Sequence, residues 1–351
     1  MNQIAGAKIP SVVRRVLAVT IGGLGDAVLF SPVIKALRYK YPRETIDLLV
    51  ASSIAEELYS QSEYLNKIFL VRTLKKRAIL NVIGLLPFCI ESIKVGGYDL
   101  AVLATGLNPG LRYVLQYLAN VHASVFAPLP GVMGTDIECN LQLASMFKQD
   151  ASMAEVFVPL SKESLDEALG ILKEHGLGGA DSPLADYIVI YPSRDLPRRV
   201  RWPLSKLIEV AEDLKEKHRG IKVVIVGSEA EGLEWAREDT KRIADANLAG
   251  ILTIPGVAAL ISRARLVVGN DGGLMHIAGA TGVPVVAIFL NTPKSYRPPG
   301  KHVRLVTPAL DCCSPRGYVP HLAADCIDKC IAVSQVVNAC ADLLNESVEH
   351  K

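Results

Sequence analysis

One pattern limits the fold more than any other, and it occurs twice: an apolar run of strand length, a glycine-rich turn, then a helical repeat. In the first half, residues 14–20 read as a strand. Ile21-Gly22-Gly23-Leu24-Gly25-Asp26 is the turn, and residues 27–39 follow as a helix with Val28, Leu29, Pro32, Val33, Ala36 and Leu37 on its apolar positions. Tyr41-Pro42 ends that helix, and residues 45–50 form the next strand. In the second half, a strand at 266–268 runs into Gly269-Asn270-Asp271-Gly272-Gly273, a helix over 273–281 and a strand over 283–289. Strand, turn, helix, strand is the unit of a parallel sheet. Further strands are expected at 98–103, 187–191 and 222–227. Further helices are expected at 111–119, 140–148, 161–176, 204–218, 229–244 and 255–262. The unbroken apolar runs Val223-Val224-Ile225-Val226 and Val285-Val286-Ala287-Ile288 suit strands covered on both faces. The fold class is α/β.

A chain of 351 residues, 50% of them hydrophobic, has enough apolar side chains for two cores. The soft segment GLGGADSP at 176–183 marks the boundary. The expected domains are 1–178 and 179–326. The last helix, 327–351, follows the final strand and is expected to pack back across the first domain. A net charge of +2 creates no general field for nucleic acid, and 6% aromatic residues leave little for base stacking, so no nucleic-acid partner is expected. The longest apolar stretch, 78–95, holds Asn81, Gly84, Pro87, Glu91 and Lys94, which argues against a membrane span. Met1 to Pro10 has no long apolar core and reads as a short leader, not a signal peptide. A cytoplasmic protein is expected, with a peripheral contact at the inner face of the membrane left open.

The two glycine turns differ in chemistry. Gly22, Gly23 and Gly25 miss the G-x-G-x-x-G spacing of a dinucleotide site, and Asp26 at the helix start would repel a pyrophosphate. The turn suits a carboxylate base, or else Asp26 is an N-cap. At the second turn Gly272 and Gly273 open a helix, so their N–H groups can meet a diphosphate. His276 lies one turn further in, as a ligand or a core histidine. Arg194, Arg198, Arg199 and Arg201 precede Trp202-Pro203, just after the strand that ends at Tyr191. A loop at the carboxyl end of a parallel strand is where a ligand binds, and arginines there would neutralise phosphate. Seven cysteines without an export signal suggest reduced thiols. Cys312, Cys313, Cys326 and Cys330 lack paired C-x-x-C spacing, so free thiols are expected over a metal site.

These residues together resemble the ADP-heptose:lipopolysaccharide heptosyltransferases of glycosyltransferase family 9. The resemblance runs through Ile21 to Asp26 with Pro32, Leu37-Arg38 and Tyr41-Pro42. It continues through Tyr98-Asp99-Leu100, Arg201-Trp202-Pro203, and Val226-Gly227 with Glu231. It then takes in Asn270 to His276 with Ala278 and Pro284, and ends at Cys312 and Cys326. The resemblance implies a GT-B fold of two Rossmann-like doubly wound domains facing a central cleft. It implies an inverting, metal-independent transfer of a sugar, heptose by default, from an ADP-sugar to a lipopolysaccharide core or related glycan, with no cofactor. Asp26 is then the general base. Glu231, Asp271, Gly272, Gly273 and His276 bind the donor, and Gly23, Gly25, Asn108 and Arg112 lie on the acceptor side. Two positions depart from the family pattern. Val200 stands where a lysine is usual before the R-W-P step, so Ser193, Arg198 or Arg199 would contact the donor phosphate instead. Gly272 stands where a threonine hydroxyl is usual. Lys75-Lys76-Arg77 and the apolar stretch after them read as a surface helix or as a lipid-docking segment. A nicotinamide-dependent dehydrogenase and a GT-B-shaped binding protein without catalysis are the competing readings.

Overall fold

Short apolar runs dictate both sheets. Val16 to Val19 and Ile188 to Ile190 are wholly buried, as strands must be when helices cover both faces of a parallel sheet. The computed structural model describes residues 9–71, 78–104, 115–126, 135–147, 155–178, 185–193, 201–239, 242–290, 292–308 and 330–346, without the side chains of 78–83 and 126. The chain divides into two units, Met1–Pro159 and Leu160–Lys351.

The first unit contains β1 (Arg15–Thr20), α1 (Leu24–Lys40), β2 (Thr45–Val50), α2 (Ser53–Tyr59), β3 (Lys67–Leu70), α3 (Ala78–Lys94), β4 (Tyr98–Leu103), β5 (Val121–Phe126) and α4 (Asp136–Ser145). Its sheet is parallel in the order β3-β2-β1-β4-β5. Val16 sits between Ile46 of β2 and Leu100 of β4. The strand order therefore reverses beside β1, and the carboxyl ends of β1 and β4 flank the position at which doubly wound sheets in general bind ligands.

The second unit contains α5 (Lys162–Glu174), β6 (Tyr187–Tyr191), α6 (Leu204–Lys217), β7 (Lys222–Ile225), α7 (Glu229–Glu238), β8 (Ala246–Asn247), α8 (Ile254–Ile261), β9 (Leu266–Asn270), α9 (Gly273–Thr281), β10 (Val285–Ile288), β11 (Val303–Val306) and α10 (Val333–Glu346). Its sheet, also parallel, has the order β11-β10-β9-β6-β7-β8. Here the reversal lies between β6 and β9, where Tyr191 pairs with Gly269. A Cβ on Gly269 would stand 2.1 Å from the Tyr191 carbonyl oxygen, so only glycine lets the two strands close there.

Three sequence expectations change. The units divide after Pro159, not at 178, because α5 belongs with the second unit. The Glu167 carboxylate accepts from the backbone N–H and the hydroxyl of Thr253 at the start of α8. The segment GLGGADSP is thus a connection inside a unit, although residues 179–183 of it lie outside the described residues. The last helix was expected against the first domain. Instead Val336, Val337, Cys340, Leu343 and Leu344 of α10 pack into the second unit's core with Trp202, Leu207 and Val286. Finally, Cys330 is disulfide-bonded, against the expectation of reduced thiols. It is buried at the entry to α10, and its partner lies outside the described residues, as do Cys312, Cys313 and Cys326. The other described cysteines, Cys89, Cys139 and Cys340, are free. Burial pushes each of these thiols up, away from the reactive thiolate.

Each unit is tied internally by one buried polar group. In the second, Asn270 at the end of β9 is 2% exposed. Its Oδ1 accepts from Trp202 N–H at 2.7 Å, while Nδ2 donates to the Pro192 carbonyl at 2.7 Å and the Trp202 carbonyl at 3.1 Å. One amide therefore pins both ends of the 192–202 loop. In the first unit, Asp47 accepts from the Tyr98 hydroxyl at 2.7 Å and from Arg15 at 3.3 Å, across β2, β4 and β1. Burial pushes the Asp47 carboxyl above its ordinary value, against the pull of Tyr98 and Arg15.

Each group makes a prediction. Asn270→Ala leaves one buried donor and two buried acceptors without their partner and lowers stability by roughly 2–4 kcal/mol, read as a fall in the urea midpoint. Asn270→Asp turns a carboxylate toward two carbonyls and does no better. A loss below about 0.5 kcal/mol in both variants contradicts the clamp. Asp47 binds its proton more tightly folded than unfolded. The stability it lends is therefore complete below the unfolded value, about 4, and is lost as pH rises through the folded one. The melting temperature of the wild type minus that of Asp47→Asn falls as pH rises above about 4. A constant or growing difference contradicts this assignment.

Candidate functional site

Both strand-order reversals carry the glycine turns that the sequence singles out. In the first unit α1 begins at Leu24, one turn earlier than the apolar repeat suggests, so Gly25 and Asp26 lie inside its first turn and Gly23 is the N-cap. Asp26 is therefore not the N-cap. It occupies the third helical position, where its Oδ2 accepts from Gly23 N–H at 2.7 Å. The carboxylate fills the space beside Gly22, where a Cβ would lie 2.1 Å from Oδ2. Asp26 remains exposed, and its Oδ1 has no partner among the described residues. The result is a carboxylate held by one oxygen at the carboxyl end of the central strand, with the other oxygen free to take a proton. Gly23 is exposed and Gly25 half-buried beside it. Asn108, Arg112 and Lys75-Lys76-Arg77 lie outside the described residues.

The second unit builds a different surface from the same topology. The α9 helix opens at Gly272-Gly273 with no acidic residue in its first turn. Its leading N–H groups therefore present partial positive charge at the reversal between β6 and β9. Gly272 is glycine for a steric reason, since a Cβ would come within 2.6 Å of the Tyr191 ring. Across from it Ser193 is buried with φ of +56°, the left-handed region that costs a non-glycine residue about 1–2 kcal/mol. Ser193 Oγ donates to the Asp271 carbonyl at 3.3 Å, tying this bend to the α9 turn. Such stored strain beside a helix N-terminus is characteristic of a ligand clamp. The Asp271 carboxylate is held by the buried Thr292 hydroxyl at 2.7 Å. His276 is buried within α9.

The basic loop separates into two parts. Arg194, Arg198 and Arg199, with Val200, lie outside the described residues. Arg201 is committed internally: it meets Glu234 of α7 with both terminal nitrogens and also donates to the Ser193 carbonyl at 3.3 Å. It braces the Ser193 bend. Glu231, at the third position of α7, is 5% exposed, and its Oε2 accepts from Ser228 N–H at 2.6 Å and Ser228 Oγ at 2.9 Å. The sequence reading missed the structural roles of Asn270, Thr292, Tyr191 and Glu234. Asn270 alone left a signal, as a polar residue at the end of the apolar run Leu266 to Gly269. Among the described residues no three His, Cys, Asp or Glu side chains gather as metal ligands.

Known proteins place this geometry. The family model for glycosyltransferase family 9 (heptosyltransferase) matches residues 136–318, more than half of the chain. Lipopolysaccharide heptosyltransferase 3 of Escherichia coli is 25% identical over 285 residues, covering 76% of this chain and 80% of the relative. The crystal structure of a glycosyl transferase family 9 protein from Veillonella parvula superposes with a TM-score of 0.75 at 20% identity, covering 97% of this chain and 99% of that one. Escherichia coli ADP-heptose lps heptosyltransferase II superposes with a TM-score of 0.67 at 20% identity, covering 95% and 99%. At that identity the two structures speak for the fold, and the two doubly wound units are those of GT-B. The dehydrogenase and non-catalytic readings give way: the chain belongs to glycosyltransferase family 9, the heptosyltransferases, and is a glycosyltransferase.

Proposed function

We propose that this enzyme transfers heptose from ADP-heptose to a lipopolysaccharide-core or related glycan acceptor, with inversion at the anomeric carbon and Asp26 as the general base, and that it meets this acceptor at a lipid surface. The observation that carries the reading is the N-terminus of α9, with no acid in its first turn, at the β6–β9 reversal and tied to the strained Ser193 bend. An ADP-sugar loads its charge on the diphosphate, which matches these N–H groups.

Each residue then has a task. Gly272 and Gly273 N–H groups, with Arg198 or Arg199 from the basic loop, hold the diphosphate. Ser193 shapes the opposite wall. Asp271, oriented by Thr292, and His276 line the donor side, and Glu231 offers Oε1 to the ribose or base region. On the acceptor side Gly23 and Gly25 give a sugar close access to the turn, with Asn108 and Arg112 as further contacts. The acceptor O–H gives its proton to Asp26 as its oxygen bonds to the anomeric carbon. The bond from that carbon to the diphosphate oxygen breaks, and ADP leaves with the electron pair. Fixed N–H dipoles stabilise the charge that grows on ADP without having to reorient.

Asp26→Asn tests the base directly. The amide oxygen still accepts from Gly23 N–H, so the turn survives, but the proton acceptor is gone. Turnover with ADP-heptose falls about 10²–10⁴-fold while ADP affinity, read by calorimetry, stays within about twofold. Turnover near the wild-type rate contradicts the role of Asp26.

A further inference from the structure

The first unit carries a surface that the transfer reaction does not use. Along α3, Leu85, Phe88 and Cys89 face inward, in one core cluster with Leu115 and Ala119. Leu86, Ile90 and Ile93, four and then three residues apart, form the opposite face and are 44%, 55% and 58% exposed. Where α3 ends, Ser92 Oγ donates to the Ala119 carbonyl, which brings the 115–119 turn alongside. Tyr117 and Leu118 of that turn are exposed too, as is Val95. Among the described residues, six of the thirteen exposed large hydrophobic side chains fall in this one region, so it is a patch and not scatter.

The charges of α3 leave a cation at its end. Lys94 is exposed in the last turn of α3. Glu91, the only acid of α3, is neutralised by Lys67 at 2.7 Å. In the sequence, Arg72, Lys75, Lys76 and Arg77 fall within the six residues directly before α3. No described helix is long and apolar enough to cross a membrane. An apolar stripe that ends in Lys94 and follows a basic run in the sequence, on a helix too short to span, suits a position in the plane of a bilayer interface. Aromatic side chains with a polar tip, such as Tyr117, settle at headgroup level. A symmetric contact between two copies would instead set these cations against their equivalents.

We infer that the exposed face of α3, with Tyr117 and Leu118, docks the enzyme on an anionic lipid surface. This rests on the reading above that the acceptor is a lipid-anchored glycan, since docking would bring the acceptor domain to where that glycan emerges. Leu86, Ile90 and Ile93 enter the boundary between headgroups and acyl chains, and Lys94 meets lipid phosphate.

Sedimentation of the full chain with vesicles tests the inference. One set is phosphatidylcholine alone, and the other contains about 30% phosphatidylglycerol. The wild type is expected to partition onto the anionic set, less so as salt rises from about 0.1 M to 0.5 M. Ile90→Asp/Ile93→Asp is expected to lower that partition about tenfold or more, with melting temperature, ADP affinity and transfer to a deacylated, water-soluble acceptor unchanged. Lys94→Glu weakens binding to the anionic set alone. The inference is overturned if the wild type ignores anionic vesicles, binds both sets equally, or is matched by the double variant. It is also overturned if the wild type sediments as a dimer that the double variant dissolves. A wild type that ignores the vesicles yet transfers heptose to the soluble acceptor removes the docking surface and leaves the proposed transfer reaction standing. Vesicle binding without transfer does the reverse.

Discussion

The Asn270 side chain is the contact on which the second unit's candidate site depends. Parallel sheets place their ligand positions at strand ends, but the loops there have no ladder to hold them. Asn270 supplies one, bonding three backbone groups at the two ends of a single loop. The hold extends outward, because Trp202, gripped by Asn270 through its backbone, is wholly buried and donates from Nε1 to the Ile331 carbonyl ahead of α10. The β9 end, the basic loop and the C-terminal helix thus share one anchor. A buried amide with all its groups paired is rigid as well as stabilising. That rigidity is what allows Ser193 to stay in a left-handed conformation that an isolated loop would abandon.

Both units also repeat one local device and give it different environments. Gly22 stands four residues before Asp26, and Gly227 four before Glu231. In each pair the acid is the third residue of a helix and reaches back to a backbone N–H at the cap. In each, a Cβ on the glycine would strike the carboxylate, at 2.1 Å and 2.6 Å. Asp26 is exposed with one oxygen open, whereas Glu231 is buried and takes a second bond from the Ser228 hydroxyl. The same backbone solution therefore yields an accessible carboxylate in one unit and a fixed acceptor in the other.

Much of the architecture is legible in the sequence because period and turn chemistry are local. The strands Arg15–Thr20, Thr45–Val50, Tyr98–Leu103 and Tyr187–Tyr191 fall within a residue of their apolar runs, and α9 has the limits its glycines suggest. What is not legible depends on distant partners. The helix expected to run to 244 stops at Glu238, because Asp239 accepts from Trp235 Nε1 and from the N–H groups of Ile243 and Ala244. The edge strands β3, β8 and β11 are too short to show a period, and α5 reveals its unit only through Glu167 and Thr253. At the site, the turns announce themselves through their glycines. Thr292 does not, because its bond to Asp271 spans twenty-one residues.

The central claim is that the α9 N-terminus receives the donor diphosphate. Titrating ADP into protein labelled with ¹⁵N at glycine measures it most directly. The account predicts that the Gly272 and Gly273 amide resonances move furthest, in the direction of stronger hydrogen bonding, and saturate with the calorimetric affinity. If ADP binds while those two resonances stay in place, or if it does not bind at all, the account is contradicted.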